Sequence, residues 1–402
     1  MDYEPPMHTP VMIRSATPLR ETARSSSARR RVRSAARPTA AGLLLLGAFA
    51  CAAPHGSGGT DAVELLPGLE VVRAFDASMP PGNLAIAPGG RMFMSVHAFY
   101  GEPEEHVVEL LEGGGTRPYP SADWARPATA ASGPGMNGVL GVRVDAEGVL
   151  WMLDGQSAER PGRLLGWDTR AEQLFAEIVL SPPATTADSF LNDLAVDRRT
   201  GTVYVADSAG AVIVVDIASG SARRVLDGHV STVPEDVDLV VAGRVLELGG
   251  APARVGINPI TLDAGGGSLY FGPMSGTSLY RVDTSDLRDA TLSADELGSR
   301  VSRYGDKPLS DGSTVDGAGN VYITAVGDFA IGVTEPRGTY RTLFQHPGLA
   351  WPDGFSVGAD GWIYVTVNAL HESPALGGGP DTDGAAFRIL RFQPLAEAFP
   401  GR

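Results

Sequence analysis

From residue 83 to residue 364 one short phrase returns six times: an apolar strand, a turn ending in Gly, and an aromatic three residues beyond that Gly. The pairs are Gly90/Phe93, Gly148/Trp151, Gly201/Tyr204, Gly267/Tyr270, Gly319/Tyr322 and Gly361/Tyr364. Copies stand roughly fifty residues apart, the length of a four-stranded propeller blade. The repeat therefore predicts an all-β fold, a six-bladed β-propeller. Innermost strands with their hairpins are expected over 83–96, 138–153, 191–206, 256–271, 311–324 and 353–367. A ring of this kind must close, and a first strand at 69–75 is placed to pair with a late one at 387–392, which removes the open sheet edges.

Composition agrees with this expectation. Gly (51) and Pro (30) are abundant among 402 residues, as in a turn-rich β protein. Apolar runs are short and carry β-branched or aromatic members, such as Val203-Tyr204-Val205, and no long helical period is present. The even spacing leaves no interval for a second core, so 69–394 is expected to be one domain. Longer excursions at 118–136, 181–189 and 226–254 either shape a site or are surface insertions.

The first fifty residues stand apart. Arg29, Arg30, Arg31, Arg33 and Arg37 precede a short apolar run ending in small residues, the shape of an export signal. That run, 40–50, is too short to span a bilayer comfortably. Cys51, the single cysteine, follows Ala48-Phe49-Ala50, which resembles a bacterial lipoprotein cleavage box. Residues 1–51 are thus expected to be a lipoprotein-type signal and 52–68 a tether. The mature protein would be exported and would meet a membrane only through a lipid on Cys51. An ordinary secretion signal with an incidental cysteine is the alternative.

Removing 1–50 leaves 24 basic against 44 acidic residues, a net charge of −20. Such a field repels phosphate backbones, which argues against nucleic acid, and favours small cationic or polar ligands and metal ions. Solubility is its plainer use. Lys307 is the only lysine, and no motif supports it as a Schiff-base former. No G-x-S-x-G elbow, H-E-x-x-H helix or cysteine cluster is present.

Asn or Asp stands at the start of every innermost strand: Asn83, Asn137, Asn192-Asp193, Asn258, Asp311 and Asp353. Innermost strands line the axis of a propeller, so these side-chain oxygens are expected to meet at one end of the channel. Asn83, Asn137 and Asp193, with His97, are candidate ligand-binding residues. A divalent cation suits such a place, since calcium takes six to eight oxygen ligands from carboxylates, amide carbonyls and water. Closure of local turns is the other use of Asn and Asp before strands. The recurring aromatics are read as structural, each burying a ring between sheets. Gly265-Gly266-Gly267 is read as a hairpin turn.

Several phrases in order, over 82–371, resemble the major royal jelly and yellow protein family in its bacterial branch. They are Leu191-Asn192-Asp193-Leu194-Ala195-Val196-Asp197, Val203-Tyr204-Val205-Ala206-Asp207-Ser208, Ser268-Leu269-Tyr270-Phe271-Gly272-Pro273-Met274-Ser275-Gly276, and Trp351-Pro352-Asp353-Gly354-Phe355 with Tyr364 to Asn368 and His371. The resemblance implies a six-bladed propeller. It also implies one of several activities: dopachrome-tautomerase-like isomerisation, binding of small amines, or a nutritive or structural role. The neighbouring gluconolactonase and senescence marker family holds a divalent cation through Asn and Asp, and Asn192, Asn258 and Asp311 resemble three of its four positions. Gly82-Asn83 replaces the fourth, a Glu, and Pro259 stands where Gly is usual. Gly327-Asp328-Phe329 departs from the polar motif of many bacterial relatives.

Three functions follow as expectations. The first is a small-ligand-binding propeller with isomerase-like activity, in which Asp353 is a base and His371 or His97 a proton donor. The second is a metal-dependent lactonase, with calcium held by Asn192, Asn258 and Asp311 while Asp311 or Asp353 activates water. A non-catalytic scaffold for an unidentified protein partner is the third. Whether the chain is an enzyme stays open at this point.

Overall fold

A computed structural model describes residues 66–130, 133–379 and 387–401. The expected signal, Cys51 and most of the tether lie outside them. Six four-stranded antiparallel sheets follow one another along the chain, here called blades I to VI. Their innermost strands are Pro81–Ile86, Val139–Val144, Leu191–Asp197, Ile257–Leu262, Ser310–Val315 and Pro352–Val357. Each innermost strand packs against that of the next blade, and the sixth packs against the first. Blade VI is completed by Leu69–Phe75, which pairs with Phe387–Phe392 at the other end of the chain, so the expected closure is present.

The recurring phrase builds each blade's hairpin and its core. In five blades the named Gly adopts positive φ, at Gly90, Gly148, Gly201, Gly319 and Gly361, and in blade IV the residue before it, Gly266, does so. This left-handed turn is one that side chains with a Cβ enter at a penalty. The aromatic beyond it points between sheets: Phe93, Trp151, Tyr204, Tyr270, Tyr322 and Tyr364 are all buried. Their polar edges are also met. Trp151 Nε1 donates to Asp145 (2.8 Å), Tyr322 Oη to Asp316 (3.0 Å) and Tyr364 Oη to Asp360 (2.8 Å), each Asp lying in the adjacent turn. A buried ring with a satisfied hydroxyl or indole needs no ligand to explain it.

Short helices at Thr284–Arg288 and Ala294–Arg300 interrupt blade IV, the second opened by a Ser293–Glu296 capping box. Helices of five and seven residues are too brief to print a period on the sequence. Insertion 226–254 contains two small hairpins, Val240–Val241 with Arg244–Val245 and Glu247–Leu248 with Ala251–Pro252. Leu239, Val241, Leu246 and Ala253 bury it against Trp351, Leu370 and Leu376.

Ring closure rests on one pairing between distant strands, and removing it exposes an unpaired ladder on Phe387–Phe392. A chain beginning at Asp76 is expected to unfold about 10 °C below the full chain and to aggregate with concentration. Thermal unfolding followed by circular dichroism checks this, and an unchanged midpoint would show that the closing strand does not hold the ring.

Candidate functional site

The pairing register slips at the same place in all six innermost strands. The slips lie between Pro81 and Leu84, Val139 and Val142, Leu191 and Leu194, Ile257 and Ile260, Ser310 and Ser313, and Pro352 and Phe355. Bulged residues turn away from the ladder and re-aim their side chains. The first bulged position is occupied in turn by Gly82, Leu140, Asn192, Asn258, Asp311 and Asp353, and the second by Asn83, Gly141, Asp193, Pro259, Gly312 and Gly354. Four polar side chains thus meet in one layer, with Asn83 and Asp193 in the next.

This layer floors a cavity of about 170 Å³ at one end of the channel. Asn83, Asn192, Asn258, Asp311, Asp353 and His97 all line it, with Phe99, Phe190, Leu239, Leu248, Met274 and Trp351 among the apolar walls. Asp193 is buried just outside the lining. Asn137 requires correction: the register puts Leu140 at the hub position of blade II. Asn137 instead lines a neighbouring cavity and gives its side-chain N–H to Gly155 O (2.7 Å). His371 also stands off the wall, stacked on Trp351 at 6.3 Å between ring centres. Of the three long excursions, 226–254 supplies Leu239, Leu248 and Arg254 to the cavity and 181–189 supplies Asp188. The described residues of loop 118–136 supply nothing to it, and the loop is clamped to blade II by Arg160 and Arg163 through the carbonyls of Gly133 and Gly135.

Asp311 is held on both oxygens. Asn258 Nδ2 donates to Oδ1 (2.5 Å) and Trp351 Nε1 to Oδ2 (2.7 Å), while the backbone N–H groups of Asp311 and Gly312 donate to Thr324 Oγ1 (3.1 and 2.7 Å). Burial, with a smaller contribution from the Asp193 charge, pushes its carboxyl up to about 6 against these donors. Asp353 accepts from Asn368 Nδ2 (2.6 Å) and is raised well above the usual carboxylate range, by burial first and then by the charges of Asp311 and Asp193. Asp193 is likewise raised by burial, opposed by Arg143, whose Nη2 lies 3.5 Å away and whose Nη1 donates to Phe355 O (2.9 Å). Burial holds His97 down to about 3, and burial with the Arg244 charge holds His371 down to about 4, so both rings are neutral.

Among the residues lining the cavity, one buried polar atom is left over. Asn83 is 7% exposed, its Oδ1 has no hydrogen-bond partner, and it faces Gly354, where a Cβ would lie 2.0 Å from that oxygen. A buried acceptor without a donor is unfavourable by about 1–3 kcal/mol. Residues 354 and 312 are glycines for the same steric reason, since a Cβ on Gly312 would lie 2.2 Å from Asp353 O.

Arg143 and Trp351 touch carboxyls of the site, a place the sequence reading gave to neither, although Trp351 opens one of the phrases that carry the family resemblance. A lone Arg inside the apolar strand Val139–Val144 was the available signal for the first. Trp351 has φ +57, a left-handed conformation rare for a bulky residue, which no sequence signal announces.

The three residues of the metal hypothesis, Asn192, Asn258 and Asp311, all line the cavity. Asn258 turns its amide N–H, not its oxygen, toward Asp311. Among the described residues, no three His, Cys, Asp or Glu side chains are grouped to hold a metal ion.

Comparison with known proteins gives the following. Residues 137–350 match the family model described as Major royal jelly protein. Major royal jelly protein 1 of Apis mellifera is 24% identical over 276 residues, 64% of this chain, and the chain spans 61% of that protein's length. Among solved structures, a luciferin-regenerating enzyme superposes with TM-score 0.52 at 12% identity, covering 83% of this chain and 97% of that one. A calcium-binding protein, regucalcin, from Agrobacterium tumefaciens superposes with TM-score 0.50 at 15% identity, covering 83% and 98%. At such identities the two superpositions speak for the six-bladed fold alone.

Because the Asp311 carboxyl sits above its unfolded value, the folded chain binds a proton that the unfolded chain releases. Its contribution to stability is therefore full below about 3.8 and is lost as pH rises through about 6. His97 and His371, lowered by folding, give the opposite slope over part of that range, so wild type alone is uninformative. The difference between wild type and Asp311→Asn removes the histidine slopes and reports the carboxyl together with its effect on Asp353. It is expected to shift by about 2 kcal/mol in the variant's favour between pH 4 and pH 7, read from urea unfolding. A pH-independent difference would mean that Asp311 titrates normally.

Proposed function

This chain belongs to the major royal jelly protein family, and we propose that it binds a small organic cation at the loop-side mouth of its central channel. One observation carries the reading: Asn83, whose Oδ1 is buried and unpartnered, lines the same cavity as Asp311 and Asp353, under apolar walls. An ammonium N–H would supply the donor that Asn83 lacks. Its charge would offset the repulsion among Asp353, Asp311 and Asp193, of which Arg143 opposes that at Asp193. Phe99, Phe190, Met274 and Trp351 suit the carbon skeleton of such a ligand better than a hydrated metal ion. Export, with a lipid on Cys51, belongs to the same proposal.

A second reading, isomerisation by proton transfer, is favoured by a specific feature. A carboxyl raised to about 6 beside another raised further can give and take protons near neutral pH. Ionised Asp311 would take the proton from an acidic C–H, and Asp353, raised further and so still protonated, or His97 on the wall, would face the carbonyl oxygen. His371 has no place in this step because Trp351 stands next to the cavity instead. The lactonase alternative and the scaffold alternative have no comparable feature in their favour.

Calorimetry with small primary amines and alcohols of matched shape tests the proposal. Amines are expected to bind, alcohols not, and affinity to rise about tenfold between pH 5 and pH 8 as the carboxyls ionise. Asp353→Asn and Asn83→Ala are each expected to lose about tenfold or more. Equal binding of alcohols, or none of amines, sinks the reading. Calcium alone raising the unfolding temperature, with the effect lost in Asn258→Ala, would turn support to the lactonase.

A further inference from the structure

Beyond the last strand of blade VI the chain returns beneath the ring, at the end of the channel opposite the hub. Leu395 N donates to Tyr322 Oη (2.6 Å) and Ala396 N to Asp316 Oδ2 (3.2 Å). Gly317 N donates to Glu397 O (2.7 Å), and Ala398, buried, forms an isolated antiparallel bridge with Asp316. All these partners lie at the far end of blade V. Three residues later the chain is on blade II: a Cβ on Gly401 would lie 2.9 Å from Ala146 N and 3.4 Å from Val144 O.

Blades II and V stand opposite each other in a ring of six. Between residues 398 and 401 the backbone can reach about 10 Å. The route round the hub passes two other blades in three steps, none shorter than the spacing of neighbouring strands, so it needs about 15 Å. Only the path across the axis is short enough.

We propose that residues 393–401 form a strap across the far end of the central channel, so that the hub is a blind pocket exchanging ligand and water only at its mouth. Between hub and strap the Arg143 guanidinium reaches from blade II to Phe355 O of blade VI (2.9 Å) and toward Asp193 of blade III (3.5 Å). At the register position of Arg143 the other innermost strands carry Ala85, Ala195, Thr261, Thr314 and Ser356, all small. The hydroxyls of Thr261 and Thr314 have no partner among the described residues, as expected where buried groups face water held in a closed space. This inference is independent of which ligand the hub takes. It supplies a reason for the dry surroundings of Asp311 and Asp353 deep inside a protein built around a hole.

A thiol placed at position 314 reports on the far end, and one at 209 on the mouth, where Ala209 lines the cavity and is exposed. Thr314→Cys and Ala209→Cys are made separately in a Cys51→Ser background and labelled with methyl methanethiosulfonate. Each is compared between the full chain, a chain ending at Pro394, and a full-length chain with 395–401 replaced by Gly and Ser. The last variant serves where truncation prevents folding. Labelling at 314 is expected to rise at least tenfold without the strap and to fall again when a peptide of 393–402 is added, while labelling at 209 stays constant. Equal rates at 314 with and without the strap overturn the proposal. So does an equal rise at both positions, which would mean that the tail only tightens the ring.

Discussion

The hub depends on one backbone device, a pair of bulged residues repeated in every innermost strand. A regular strand would send alternate side chains into the two blade interfaces and none to the axis. The bulge turns Asn192, Asn258, Asp311 and Asp353 out of that alternation. It also strips backbone N–H groups of their ladder partners, and hydroxyls on the second strand replace these. Ser95 accepts from Asn83, Thr324 from Asp311 and Gly312, and Thr366 from Gly354. Small residues complete the device, because at Gly312 and Gly354 the neighbouring strand comes too close for any Cβ.

Converging six strands concentrates charge as well as geometry. Asp193, Asp311 and Asp353 come from three blades, and the Asp193 charge raises the other two while that of Asp311 raises Asp353, in a setting where burial already raises each. Neutral amides and an indole, rather than cations, hold Asp311 and Asp353. Such an arrangement fixes the carboxyls in place without quenching their demand for a proton or a cation. Lys307 shows the contrasting use of a buried charge: its ammonium donates to the carbonyls of Gly276 (2.7 Å) and Pro308 (3.1 Å), pinning loops rather than serving the cavity.

The ring and its closure were legible because both follow from periodicity. The Gly-to-aromatic spacing gives the blade count, and the isolated strands at the two ends give the seam. The hub was legible in part. Asn192, Asn258, Asp311 and Asp353 share a position that the repeat alone reveals, but Asn137 does not, because placing it needs the bulge register and a three-residue offset changes which cavity a side chain meets. His371 was misplaced for another reason: spacing cannot tell a residue on a cavity wall from one stacked behind it. The contacts of Arg143 and Trp351 were not legible, even though Trp351 stands in a family phrase, because their partners Asp193 and Asp311 are 50 and 40 residues away.

Insertion and hub are joined by contiguous contacts. Arg244, from the insertion, donates to the carbonyls of His371 and Leu376 (the latter at 3.0 Å). His371 stacks on Trp351, and Trp351 donates to Asp311. Trp351 is also the link under backbone strain, and left-handed φ in a bulky residue persists only where its surroundings over-determine it. Those surroundings are the stacked imidazole on one side and the carboxyl on the other. The strained residue therefore joins the covering insertion to the carboxyl at the floor, whereas the far end of the channel is crossed by backbone that touches none of these groups. Access and chemistry are thus coupled at the mouth of the ring and separated at its base.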